Sequence, residues 1–169
     1  MMKKIVSVAA AVLLSSSLYA QQQGSNGFYV GAGIGLEAMP KHVDDGVGLA
    51  IKGGLELDTV LKNLGVEAEL STSLVAPEIS NSNNKIDVTT LGVYATYTID
   101  IPGSAFKVRP KFGLILPNLG DELHSRGDLA ISGGIAGMYE LNNQLDLYVE
   151  YVNTSEAMNN YMIGLAVNF

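Results

Sequence analysis

The sequence predicts an all-β protein, an eight-stranded antiparallel up-and-down transmembrane β-barrel that follows an N-terminal signal peptide, and three observations support this prediction. Eight segments alternate apolar residues with small or polar ones, which is the period of a β-strand with two unlike faces. The connections between these segments alternate between short and long, as the hairpins of a barrel do. The last segment ends on Phe169, and closure of the sheet would remove the apolar edge that it would otherwise expose.

The first 20 residues have the features of a signal peptide. Lys3 and Lys4 precede a short apolar run, and the residues up to Ala20 supply a cleavage site. This run is too short for a transmembrane helix, and no later stretch reaches the ~20 apolar residues that such a helix needs. We therefore expect a signal peptide at residues 1–20, a short N-terminal segment at 21–27 and the barrel domain at 28–169.

Each predicted strand has one apolar face, and the eight strands lie at 28–36, 47–57, 64–74, 90–101, 106–116, 129–141, 145–152 and 161–169. The first strand sets its apolar residues mainly against glycine, and the second sets its own against Gly, Ala, Lys and Glu. The third opposes them with Glu and Ser, and the fourth with Gly, Tyr, Thr and Asp. The fifth opposes its apolar residues with basic ones, the sixth with mostly small residues and the seventh with Asp, Tyr and Glu. In the eighth, the apolar face consists of Tyr161, Ile163, Leu165, Val167 and Phe169.

The connections between the strands carry turn residues where they are short. Residues 101–104 fit a type II turn, because Pro102 fixes φ and Gly103 accepts a positive φ. Residues 142–144 form another tight turn, whereas 37–45, 77–85, 117–128 and 153–159 are longer. Two irregularities predict β-bulges: Pro110, which cannot donate to the ladder, and residues 88–90, where the alternation slips by one residue.

The direction of the apolar face distinguishes this barrel from a soluble one. An eight-stranded barrel has an interior only just wide enough for its own side chains. The apolar face is too bulky for that interior, so we expect it to point outward, where only lipid would make it stable. Five aromatic residues fall near one end of the strands and predict a girdle at the membrane interface: Phe28, Tyr97, Phe106, Tyr139 and Phe169.

The opposite face carries charged residues, which predict a lumen charge network. Its members are Lys52, Glu56, Glu67, Glu69, Lys107, Arg109, Lys111, Glu140, Asp146 and Glu150. Buried charges are tolerated when they are paired and hydrogen-bonded. We therefore expect salt bridges that plug the lumen, and the open alternative is a charged lining that conducts small solutes.

With this strand count, signal, turn pattern and terminal Phe169, the chain resembles the small eight-stranded outer-membrane barrels, namely the OmpA-type transmembrane domain and the opacity or porin-family proteins. The resemblance implies a bacterial outer-membrane location after secretion through the inner membrane. It implies that the last strand marks the chain for the barrel-assembly machinery, and that outer-membrane lipid and lipopolysaccharide surround a monomer. We expect no peptidoglycan-binding domain after residue 169.

Neither an enzyme, a cofactor, a metal site nor a nucleic-acid partner is predicted. Glu122, His124 and Ser125 are residue types of a catalytic triad, but three neighbours on one loop are better interpreted as a polar surface. His42 has no metal-ligand spacing with them. The chain holds 17 acidic and 10 basic residues and no cysteine, which argues against nucleic acid and against disulfides.

Three functions remain open at this stage. The first is a structural or surface-interaction role, in which acidic loop residues meet divalent cations or host molecules. Those residues are Glu37, Asp44, Asp45, Asp121, Glu122, Asp128 and Glu156. The second is a narrow passive porin-like channel, and the third is a lipid A-modifying enzyme.

Overall fold

The computed structural model describes residues 27–39, 43–78, 88–119, 128–155 and 158–169. The predicted signal peptide and the loop residues His42, Asp121, Glu122, His124, Ser125 and Glu156 lie outside these ranges. The described residues form nine strands: β1 (Phe28–Ala38), β2 (Gly46–Glu56), β3 (Leu64–Val75), β4 (Val88–Tyr97), β5 (Ile99–Asp100), β6 (Phe106–Leu119), β7 (Ala130–Asn142), β8 (Leu145–Ser155) and β9 (Met158–Asn168). No helix among them is long and apolar enough to cross a membrane.

The strands form one closed antiparallel sheet. Neighbouring strands pair in chain order, β9 pairs with β1, and β4 pairs with β6. The short strand β5 continues the line of β4 and also pairs with β6, so the barrel has eight walls. The predicted eight-stranded up-and-down barrel is confirmed, and its closure leaves no free edge.

Burial alternates along the strands with the apolar side outward. In β4, Thr90 and Tyr94 are buried whereas Leu91 and Val93 are exposed. On other strands, Ile131 is 67% exposed and Phe112 is 64% exposed. An apolar surface of this extent is unfavourable in water and favourable against lipid.

Pro110 interrupts a neighbouring strand without producing the predicted bulge. The register of β6 against β4 continues unchanged against β5, and on its other side Pro110 pairs in register with Ile135. Because proline has no N–H, the ladder is broken opposite it and the wall divides into β4 and β5 at Thr98. The prediction of a bulge at Pro110 is wrong.

Residues 88–90 stay in register with β6, and Thr89 and Thr90 also stay in register with β3, so the second predicted bulge is wrong. Val88 and Thr90 are both buried. The apparent slip in the sequence arose because an apolar residue occupies an inward position. Register shifts occur instead at Val47/Gly48, Glu140/Asn142 and Asn153/Ser155.

The two ends of the barrel differ in their connections, and we name them accordingly. The turn end carries residues 57–63, 101–105 and 143–144, and the loop end carries 39–45, 76–87, 120–129 and 156–157. At 101–104, Ser104 N donates to Ile101 O at 3.1 Å and Gly103 has a φ of 75°, as a type II turn requires. The predicted long loop at 153–159 is wrong, because β8 extends to Ser155 and β9 begins at Met158.

Four of the five predicted girdle residues have exposed rings at the turn end, and their place at a membrane interface stays a prediction. Tyr97, Phe106, Tyr139 and Phe169 are exposed, and the ring centroids of Phe106 and Tyr139 are 4.8 Å apart. Phe28 is only 5% exposed, because the ring of Phe169 lies against it at 5.8 Å. For Phe28 the prediction of a lipid-exposed ring is wrong.

Candidate functional site

Tyrosine rings fill much of the lumen, and glycines make room for them. Tyr29, Tyr94 and Tyr148 are buried. A Cβ atom on Gly54 would lie 2.3 Å from Cζ of Tyr29, and one on Gly164 would lie 2.5 Å from Cζ of Tyr148. The inward glycines are therefore positions where a ring approaches the backbone closely.

Five buried charged residues meet in the middle of the lumen, and we call them the central cluster: Lys52, Glu67, Glu69, Lys111 and Glu150. Lys111 Nζ lies 2.7 Å from Glu69 Oε2 and 3.0 Å from both Glu67 Oε1 and Glu150 Oε1. Lys52 Nζ lies 2.6 Å from Glu150 Oε2 and 4.0 Å from Glu67 Oε2. The cluster thus joins three carboxylates to two ammonium groups.

The tyrosine rings also contact the charges of the lumen. Lys52 Nζ lies 3.9 Å from the ring centroid of Tyr148, and Lys111 Nζ lies 4.4 Å from that of Tyr94. Tyr29 donates a hydrogen bond from its hydroxyl to Glu67 Oε2 at 2.6 Å. Cation–π contacts and a charge-assisted hydrogen bond therefore offset part of the cost of removing these charges from water.

The central cluster joins opposite walls of the barrel. Glu67 and Glu69 belong to β3 and Glu150 belongs to β8, and three walls separate these strands in either direction around the sheet. Lys111, on β6, contacts carboxylates from both. One ammonium group therefore bridges the full width of the lumen.

Two more ion pairs lie nearer the turn end. Arg109 Nη2 is 3.4 Å from Glu56 Oε1, and its Nε donates to Thr98 Oγ1 at 2.9 Å. Lys107 Nζ is 3.0 Å from Glu140 Oε2, with side chains 25% and 37% exposed respectively. The first pair is mostly buried, whereas the second is a rim pair of the weaker, solvent-screened kind.

Asp146 is the one member of the predicted network that the structure does not place in an ion pair with a described residue. It is buried, and Asn168 Nδ2 donates to its Oδ2 at 3.0 Å. Its Oδ1 has no hydrogen-bond partner among the residues that the structure describes. Asp146 follows the tight turn at 143–144, where it faces the polar end of β9 rather than a basic strand.

Glu37 was missed as a lumen residue, and its assignment to an exposed loop is wrong. It lies in β1, is 0% exposed, and accepts a hydrogen bond from Ser73 Oγ at 2.5 Å. The sequence does contain the signal, because Gly31, Gly33 and Gly35 continue to Glu37 with a period of two. The other described loop acids, Asp44, Asp45 and Asp128, are exposed.

The carboxylates of the central cluster have the spacing of a metal site, but lysine already contacts them. Carboxylate oxygens of Glu67, Glu69 and Glu150 lie within 4.8 Å of one another. Lys111 Nζ contacts all three. The geometry therefore satisfies these carboxylates with an ammonium group.

Comparisons with known proteins agree with this geometry. A family model described as outer membrane protein beta-barrel domain matches residues 8–169, whereas no curated protein matches the chain. Neisserial surface protein A is similar in structure, with 17% identity and a TM-score of 0.60 over 87% of this chain and 100% of that one.

Two further solved structures are similar. Ail, the attachment invasion locus protein of Yersinia pestis, has 12% identity and a TM-score of 0.57 over 85% of this chain and 99% of its own. The N-terminal β-barrel domain of Pseudomonas aeruginosa OprF has 14% identity and a TM-score of 0.55 over 87% of this chain and 100% of its own. At sequence identities this low, the structural similarity establishes the shared fold alone.

Proposed function

Because the chain belongs to the outer membrane protein β-barrel domain family, we propose that it is a structural or surface-interaction protein of the bacterial outer membrane whose lumen is plugged by salt bridges. The observation that carries the plug is the contact of Lys111 with carboxylates of β3 and β8. An ion crossing the lumen would have to separate this ammonium group from three buried partners. Leaving those carboxylates uncompensated in a low-dielectric interior is costly.

Planar-bilayer recording tests the plug against the passive channel. We expect no steady conductance from the wild type, and we expect Lys111→Met to introduce current because it removes the bridging group. Lys107→Met is the matched control, since it removes a lysine of the partly exposed rim pair and leaves the central cluster intact. A well-defined wild-type conductance whose selectivity shifts with these variants would favour the channel.

The surface role rests on the exposed acids at the loop end. The similar protein Ail was crystallised with sucrose octasulfate, a heparin analogue, but a polyanion is a poor match for a chain of net charge −7. We propose instead that Asp44, Asp45 and Asp128 meet divalent cations that bridge lipopolysaccharide. Asp44→Asn/Asp45→Asn should weaken Mg²⁺-dependent association with lipopolysaccharide vesicles and leave association with phospholipid vesicles unchanged.

Location, biogenesis and the absence of enzymatic activity belong to the same proposal. The predicted assembly residues Tyr161, Ile163, Leu165, Val167 and Phe169 are all exposed on the outer face, where an assembly factor can reach them before insertion. We expect a monomer that fractionates with outer membranes and resists SDS until boiled. Lipid A mass spectrometry after gene deletion tests the enzyme alternative, and an altered lipid A would support it.

A further inference from the structure

The loop end of the lumen buries a carboxyl group that has no base beside it. Glu37 is 0% exposed, and its Oε2 accepts a hydrogen bond from Ser73 Oγ at 2.5 Å. Its Oε1 is buried and has no hydrogen-bond partner among the residues that the structure describes. None of the ion pairs between described residues includes Glu37. This group therefore has neither solvent contact nor a described base to balance a negative charge.

The carboxyl group lies in a closed cradle of backbone and a proline ring. A Cβ atom on Gly48 would lie 2.6 Å from Glu37 Oε1, and one on Gly46 would lie 2.9 Å from Oε2. The same Cβ atom on Gly46 would lie 2.8 Å from the ring of Pro77, which is buried. The carboxyl group therefore occupies the space that the two glycines leave, beside the proline ring.

The charged residues around this cradle do not compensate a carboxylate. The groups that flank Glu37 on the neighbouring strands are uncharged: Gly46 and Gly48 on β2, Ser73 on β3 and Asn160 on β9. The exposed charges on the adjoining connections are acidic: Asp44, Asp45 and Glu78. Deeper in the lumen, the nearest charged residues on β2 and β3 are Lys52 and Glu69, each four residues, or about 13 Å, further along its strand. Lys52 Nζ already contacts Glu150 at 2.6 Å.

The cradle links segments that are distant in the chain. Ser73, which donates to Glu37, also accepts a hydrogen bond from the backbone N–H of Val88 at 3.3 Å. Near the cradle, Asp44 N donates to Glu78 O at 2.8 Å and joins the connection before β2 to the one after β3. Glu37 thus connects β1 to β3 and to the start of β4 across the intervening β2.

We propose that the folded barrel holds Glu37 as the neutral acid and that this carboxyl group is a proton-dependent latch at the loop end. Burial without a compensating charge disfavours the ionised form of a carboxyl group. A neutral group with one unmade hydrogen bond costs far less to bury than an unpaired carboxylate. Loss of the proton places a charge against the backbone of β2 and the Pro77 ring, so the latch is closed at acid pH and loosens as the pH rises. It shares no residue with the central cluster and is independent of the plug.

Infrared spectroscopy of the folded barrel in detergent tests the protonation state directly. At about pH 7 an exposed glutamate is ionised, whereas the wild type should show the carbonyl stretch of a neutral carboxyl group that Glu37→Gln lacks. Asp146→Asn is the matched control, because it removes a second buried acid outside the described ion pairs and should leave the Glu37 band in place. A difference spectrum between the wild type and Glu37→Gln without this band would overturn the proposal.

Urea unfolding over a range of pH tests the latch. The folded state holds a proton that the unfolded state loses above about pH 4.3. The folded-to-unfolded ratio of the wild type should therefore fall by up to tenfold per pH unit relative to that of Glu37→Gln as the pH rises. Asp44→Asn/Asp45→Asn removes exposed acids and should keep this fall.

Hydrogen exchange provides a local measurement of the same event. At matched pH, the amides of Asp44 and Val88 should exchange faster in the wild type than in Glu37→Gln, and the ratio of the two rates should grow as the pH rises. Parallel pH profiles of stability in the two proteins would overturn the latch. A wild type that gains stability relative to Glu37→Gln with rising pH would also overturn it, because it would show that the folded state favours the carboxylate.

Discussion

The centre of the lumen and its loop end bury carboxylates in different ways. In the centre, three carboxylates share two ammonium groups, which in turn lie over tyrosine rings. At the loop end, Glu37 has one hydroxyl partner and no base among the described residues. The same barrel thus contains a compensated group of acids at its centre and an uncompensated acid, Glu37, at its loop end.

The difference follows from the course of β6. This strand brings Lys107, Arg109 and Lys111 into the turn end and the centre, and its next inward residues are Gly113 and Ile115. An acid that faces the centre therefore meets a base across a narrow lumen, whereas an acid at the loop end does not. For the central acids and Glu37, charge compensation follows the level at which the residue lies, whereas Asp146 at the turn end is held by Asn168 instead of a base.

The largest effect should come from removing the bridge of the central cluster. Lys111→Met removes an ammonium group from all three carboxylates and leaves Glu69 without an ionic partner among the described residues. Breaking a buried pair in this way costs about 3–5 kcal/mol of unfolding free energy. Lys107→Met, at the partly exposed rim, should cost less than about 1 kcal/mol. Urea titration of both variants in detergent measures the contrast, and equal losses would show that burial does not set the strength of these pairs.

A smaller loss is expected at the pair nearer the turn end. Arg109→Ala removes contacts with Glu56 and Thr98 and uncovers the ring of Tyr29, whose centroid lies 4.4 Å from the guanidinium. Hydrogen bonds to charged groups contribute about 1.5–3 kcal/mol, and the exposed part of Glu56 moderates the cost. The double variant Arg109→Ala/Glu56→Gln should recover part of the loss of unfolding free energy. A loss equal to the sum of the two single-variant losses would contradict the pairing.

Filling the space that an inward glycine leaves for a tyrosine ring should lower the stability of the barrel without changing any charge. Gly54→Ala places a methyl group against the Tyr29 ring, and overpacking of this kind costs about 1–3 kcal/mol. Gly137→Ala is the matched control, because a Cβ atom there meets nothing within 4 Å. Thermal unfolding of the two variants tests this, and similar losses would show that the cost comes from glycine replacement itself.

The smallest effect on stability should come from the end of the chain. The Phe169 ring packs against Phe28 and is otherwise exposed, so deleting Phe169 should change the unfolding midpoint of refolded protein only slightly. The folded yield in cells should fall while export across the inner membrane continues. Normal assembly of the deletion variant would show that this residue carries no assembly signal.

The architecture was predictable from the sequence because the residue types along each strand distinguish its inward face from its outward face. Period-two alternation in segments such as 161–169 depends on local residue type alone, and the bulk of the apolar face showed that it points outward. The inward position of all ten charged residues follows from the same parity. Whether a residue faces inward or outward is set by its odd or even position along its own strand, and this does not depend on the register between strands.

The pairing within the lumen was not predictable, because it depends on strand tilt and stagger. No local pattern shows that Lys111 reaches both Glu67 and Glu150, or that Asp146 faces Asn168 instead of a base. Glu37 was missed because a polar residue at the end of an apolar alternation has the same local pattern as a loop. Pro110 was misjudged because its effect falls on the neighbouring strand rather than on its own.

The separation of the cluster partners along the chain bears on how the barrel forms. Lys111 lies 44 and 42 residues from Glu67 and Glu69, and Lys52 lies 98 residues from Glu150. None of these contacts can form within one hairpin, so a half-closed sheet would present unpaired lysines and glutamates to lipid. Because uncompensated charge in lipid is costly, we expect such an intermediate to be less stable than the closed barrel. The charges that occupy the lumen of the finished protein therefore also act against its partially assembled forms.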